Sequence, residues 1–301
     1  MFKKVIGAIA LMVMFSQSAI ASEFMVKEGV YGKTVEGWAY GMAVHELKGD
    51  TLIDIIPGNG ATDRYHKNKK RSTIIYVSEG FSPLRPAEVI LFFHGLNGFK
   101  NFERREAAAV RFMERSQDRN FVLVMPELPW SHHTSTPRKR QGLAWYGSEK
   151  ENIITFYQEV ISRVHVDFGI ETFRVGKLTI VGHSAGGSAI MRAAKSGGLN
   201  ALQPNEIIFS DAGYGRWTDI SWYYHGKKNP RTKYILLVRS RDTPHQNTMR
   251  FLKTFRKQPD NIYLKVFPRK SWTHTRIGNE SLTWHGENNT ICGKNTCLPF
   301  H

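Results

Sequence analysis

"KLTIVGHSAGGSAIMRAA" (residues 177–194) passes from an apolar run through a crowd of small residues around one serine and then resumes with helical spacing. Leu178, Ile180 and Val181 read as a buried strand, and residues 184–196 as a helix. Between them Gly182-His183-Ser184-Ala185-Gly186 follows the pattern G-x-S-x-G. The strand-turn-helix setting gives that pattern chemical meaning. A sharp elbow lifts a serine hydroxyl above the sheet edge, and it needs small neighbours two residues to either side because strand and helix backbones pass close together. A serine that merely caps a helix after a glycine turn is the structural alternative.

Outward from this stretch, strand-like and helix-like segments alternate. "EVILFFHG" (88–95), "FVLVMPELP" (121–129), "EIIFSD" (206–211), "YILLVRS" (234–240) and "NIYLKVFP" (261–268) read as strands. Residues 102–117, 148–164 and 246–257 read as helices, the second opened by Ser148 and Glu151 in capping-box spacing. Such alternation predicts a mostly parallel central sheet with helices on both faces, an α/β architecture. "STIIYVSE" (72–79) suits an antiparallel strand leading into it. No internal repeat or linker divides the chain, so residues 22–301 are expected to form a single domain.

The serine elbow, with "FFHGLNG" (92–98) about ninety residues before it, resembles the α/β-hydrolase superfamily over roughly residues 88–280. The resemblance implies that the residue after His94-Gly95 donates its backbone N–H to an oxyanion, which puts Leu96 and Ala185 in an oxyanion hole. It also implies a nucleophile at Ser184 and a catalytic histidine after the last strand, where His274 stands. The chain order serine, acid, histidine is then open to two acids. Asp242 in "ILLVRSRDTPH" ends the commoner strand for the acid. Asp211 in "IIFSDAGYG" ends the strand directly after the nucleophile helix, in a setting that resembles a D-A-x-Y-G pattern of bacterial hydrolases. At this level the two stand even.

The activity so implied is hydrolysis of a carboxylic ester through an acyl-enzyme, with no metal and no organic cofactor. An amidase or peptidase of the same fold acting on a cell-envelope component is the nearest alternative. A non-catalytic protein using the scaffold to bind an anionic envelope polymer is the alternative from a different class. Trp217 and Tyr214 are candidate substrate contacts, and Trp130, Trp145, Trp222, Tyr223 and Tyr224 could join them around a cleft.

The N-terminus bounds where this chemistry takes place. Lys3 and Lys4 precede an apolar run from Val5 to Phe15, and Ala19-Ile20-Ala21 supplies the small residues of a cleavage site. Residues 1–21 therefore read as a signal peptide, the apolar run being shorter than the roughly 20 residues that span a bilayer. The mature protein is expected to be periplasmic or extracellular, with no membrane span. In an oxidising compartment Cys292 and Cys297, close together in "CGKNTC", are expected to pair. Forty-two Lys and Arg against 26 Asp and Glu give +16, with basic clusters at 64–71 and 136–141. That balance favours anionic envelope polymers as partners. No nucleic-acid recognition motif accompanies the charge, so a specific nucleic-acid function is not expected.

Overall fold

The computed structural model describes residues 42–47, 71–78, 81–95, 119–126, 150–167, 170, 172–257 and 259–284. The signal peptide, Leu96, Trp130, Trp145, both cysteines, the helix expected over 102–117, Ser148 and the side chains of both basic clusters lie outside the described residues.

Eight strands form one sheet: β1 Met42–Leu47, β2 Arg71–Val77, β3 Ala87–Phe93, β4 Phe121–Pro126, β5 Val175–His183, β6 Glu206–Ser210, β7 Lys233–Arg239 and β8 Ile262–Phe267. Their spatial order is β1-β2-β4-β3-β5-β6-β7-β8. β1 pairs antiparallel with β2 and β2 antiparallel with β4. The strands from β4 through β8 run parallel. This is the α/β-hydrolase fold.

The near-continuous apolar strands are explained by burial on both faces. Val89, Leu91 and Phe93 of β3 point into one core with Ile180 of β5, while Ile90 and Phe92 point into a second with Val181. Helix α1 (Lys150–Asp167) lays Ile153, Phe156, Val160 and Val164 on the first core at helical spacing. Helices α2 (Gly186–Lys195), α3 (Gly198–Leu202) and α5 (Thr243–Leu252) contribute to the same core. Helix α6 (His274–Trp284) covers the other through Ile277. Between β6 and β7, helix α4 (Trp217–Ser221) runs into a π-helical turn, Trp222–Gly226.

One sequence expectation is displaced. The helix expected over 246–257 begins at Thr243 and ends at Leu252; Pro244 suits the first turn, where no N–H is required of it. His274 stands at the start of a helix.

The two edges of the sheet are used differently. Along the strand N-termini, Lys177 bridges Glu88 (3.2 Å) and Glu206 (3.0 Å), and Lys233 stands 3.8 Å from Glu206. Arg119 completes the row on Glu88. Alternating charges thus tie β3, β5, β6 and β7 together at the edge away from the elbow. The opposite edge holds backbone in the left-handed region: Ser184 (φ 53°), Asp211 (φ 46°) and Arg241 (φ 66°) follow the ends of β5, β6 and β7. Strain of this kind gathers at functional sites in open α/β sheets, whose ligands sit beyond the strand C-termini.

The π-helical turn is anchored by His225, whose Nδ1 lies 2.9 Å from the Tyr234 hydroxyl. Burial pushes the His225 imidazole down to about 4, with the Leu199 backbone partly opposing. The folded chain therefore keeps this ring neutral at pH values where an unfolded chain protonates it. Stability contributed by the neutral ring falls as pH drops through the interval between the ordinary histidine value and about 4. Urea unfolding should show about 2 kcal/mol more loss between pH 7 and pH 4.5 in the parent than in His225→Asn. Equal losses in the two proteins would remove His225 from the acid response.

Candidate active site

Ser184 sits directly after β5, its N–H donating to the Ser210 carbonyl at 3.1 Å. Its positive φ turns the side chain away from the sheet into half-exposed space. The turn is possible because Gly186 lacks a side chain: a Cβ there would stand 2.0 Å from the Phe93 carbonyl oxygen of β3. Ala185 leads into α2, whose Gly187 and Ser188 N–H groups donate back to the Ser184 and Ala185 carbonyls at 3.1 and 3.0 Å. The helix dipole adds positive potential there.

Asp211, placed after β6, is fully buried. One oxygen, Oδ1, accepts the Arg239 N–H at 3.0 Å. The other, Oδ2, lies 2.6 Å from His274 Nδ1. A buried carboxylate with one oxygen on a backbone N–H and the other on an imidazole is held in place and oriented at once. The His274 side chain is about one-third exposed.

Asp242 is differently engaged. Arg239 Nε pairs with its Oδ2, and Arg269 Nε stands 3.7 Å from its Oδ1. Of the two aspartates that sequence spacing leaves even, the structure brings Asp211 to His274 and gives Asp242 to arginines.

Tyr214 lies over this centre. Burial raises its pKa first, the Asp211 charge adds to that, and the nearby Ser184 side chain opposes. The phenol therefore remains a donor at neutral pH. Its ring meets His274 edge-on at 6.2 Å and Trp217 at 5.8 Å. Tyr214 and Trp217 thus form an aromatic pair on the His274 side of the site. Trp222 does not join it: its ring packs against Phe255 at 4.8 Å and Phe251 at 6.1 Å, beneath the surface. Tyr223 and Tyr224 are exposed on the π-helical turn.

One participant escaped the sequence reading. His183, the residue immediately before Ser184, reaches α6, with Nε2 3.1 Å from the His274 carbonyl oxygen. Ser210 Oγ donates to the Ile277 carbonyl at 3.1 Å. Nothing in residue type or spacing announces either bond, since both cross from strand ends to a helix more than sixty positions later. Among the described residues, no three His, Cys, Asp or Glu side chains gather as a metal site requires.

No family model matches the chain, and no curated protein does. Solved structures with a similar chain path include BES protein from Bacillus cereus, at 13% identity and TM-score 0.47 over 84% of this chain and 97% of that one. A cold-adapted esterase from an Arctic intertidal metagenomic library matches at 12% identity and TM-score 0.47, over 83% and 95%. A serine hydrolase without a lid from Xanthomonas campestris matches at 15% identity and TM-score 0.41, over 72% and 88%.

Proposed function

We propose that this chain is an exported serine hydrolase that cleaves a carboxylic ester, with Ser184 as nucleophile, His274 as base and Asp211 as the acid that orients the base. The observation that carries the reading is the 2.6 Å contact between His274 Nδ1 and the buried Asp211 carboxylate, at the sheet edge where the strained Ser184 turn also stands.

The chemistry follows from charge flow. Asp211 keeps the proton of His274 on Nδ1, leaving Nε2 as the acceptor. As Ser184 Oγ attacks the ester carbonyl, Nε2 takes the hydroxyl proton. Negative charge developing on the carbonyl oxygen is met by the Ala185 N–H and, on the resemblance stated above, the Leu96 N–H. The imidazolium then gives its proton to the departing alkoxide and an acyl-serine remains. Water, deprotonated by the same imidazole, releases the acid and restores the serine. Tyr214 and Trp217 bound the space in which the substrate sits. The N-terminal signal pattern and the basic balance support action outside the cytoplasm, against anionic envelope surfaces.

The test is covalent. Incubation of the full chain with a fluorophosphonate probe, followed by peptide mass mapping, should put the label on Ser184. A label on a different serine, or none on folded protein, would overturn the assignment.

A further inference from the structure

We propose that His183 is a positioning residue that sets the reach of His274 toward Ser184; the proposal rests on the triad reading above. The His183 side chain is almost fully buried, at 3% exposure. Because a carbonyl oxygen only accepts, the 3.1 Å contact with His274 O requires the His183 proton on Nε2. The two imidazole rings lie 4.6 Å apart between centroids at an interplanar angle of 35°, so His183 also backs the His274 ring.

The surroundings hold His183 as a wedge. Helix α6 rests directly on its ring because residue 278 is glycine: a Cβ there would stand 2.6 Å from both His183 Cδ2 and Nε2. The Nδ1 edge is bounded by Gly95, of the segment that follows β3. The neighbouring Ser210 bond to the Ile277 carbonyl grips the same helical turn from the end of β6.

The mechanical consequence concerns the base. Asp211 holds His274 at one ring atom, and a single contact at Nδ1 leaves the imidazole able to swing about the line joining the two side chains. What limits that swing is the location of the residue 274 backbone and the surfaces against the ring; His183 holds the first and backs one face, beside the edge-on Tyr214 ring. His183 is also the residue immediately before Ser184. One peptide unit therefore carries the nucleophile and the group that fixes its base, so Oγ and Nε2 keep their separation even where the sheet and α6 shift together. A displacement of about 1 Å between reacting groups is enough to cost about 10²-fold in rate.

The experiment compares His183→Leu, His183→Gln and Gly278→Ala with the parent full chain on p-nitrophenyl acetate, with competent sites titrated by the fluorophosphonate probe. His183→Leu fills the space without a donor and should lose about 10²-fold in kcat per titrated site, with KM little changed. His183→Gln, whose amide can donate to the same carbonyl, should recover at least a tenth of parental kcat. Gly278→Ala presses on the ring from the helix side and should fall with the leucine variant. A purely structural role would lower Tm and the number of titratable sites in all three while leaving kcat per site at the parental value, and that result overturns the proposal. Where His183→Leu yields no folded protein, parental kcat per site in Gly278→Ala overturns it equally. Ser184→Ala separates the two levels: if that variant keeps parental turnover the triad reading itself fails, whereas an inactive Ser184→Ala beside a fully active His183→Leu removes only the positioning role.

Discussion

Ser184→Ala should lose on the order of 10⁶ in kcat on p-nitrophenyl acetate while remaining folded, a loss of the size seen when a serine hydrolase is stripped of its nucleophile. The residual rate over water is expected to come from the remaining N–H donors and from binding. Alanine fits the elbow because Ser184 already occupies a left-handed backbone conformation without being glycine, and its side chain occupies half-exposed space. Circular dichroism should therefore be unchanged and Tm within a few degrees of the parent. Parental turnover in the folded variant would remove Ser184 from the reaction.

The second large effect separates the two aspartates. Asp211→Asn should lose on the order of 10⁴ in kcat. The amide can still accept the Arg239 N–H through its oxygen, so the backbone stays in place. Its NH₂, however, then faces His274 Nδ1 and favours the proton on Nε2, where it cannot receive one from serine. The charge that stabilises the imidazolium is lost as well. Asp242→Asn removes the charge facing Arg239 and Arg269 but keeps an oxygen that can accept from them. It should change kcat by less than about tenfold, because its carboxylate faces these arginines rather than His274. Equal losses in the two variants would dissolve the distinction drawn between them.

Much of this architecture was legible before any coordinates. Strands buried on both faces carry unbroken apolar runs, and the elbow needs small residues at fixed offsets, so β5, Ser184 and α2 are written locally. The proposed base, His274, follows from chain order given the resemblance. The proposed acid does not. Asp211 and Asp242 both follow strands on the same edge, and what distinguishes them is lateral: Asp211 leaves β6 directly under α6, while Asp242 lies three residues beyond Arg239 and turns onto it. Sequence spacing carries no lateral information. His183 was hidden for a related reason, because its partner is a backbone carbonyl, which every residue possesses. Trp222 meets the same limit, since an aromatic ring has the same composition whether it lines a cleft or packs on Phe251 and Phe255 as here.

The bonds that assemble the centre span long stretches of chain: Asp211 to His274 crosses 63 positions, Ser210 to Ile277 crosses 67, and His183 to His274 crosses 91. None can form while the chain is still being made and residue 274 has yet to emerge. A partly synthesised chain can fold its elbow and still hold an inert serine, and contacts of such sequence separation are slow to close even when all residues are present. On the proposed triad, activity is therefore timed as well as located: it waits until α6 has docked and His274 has met Asp211.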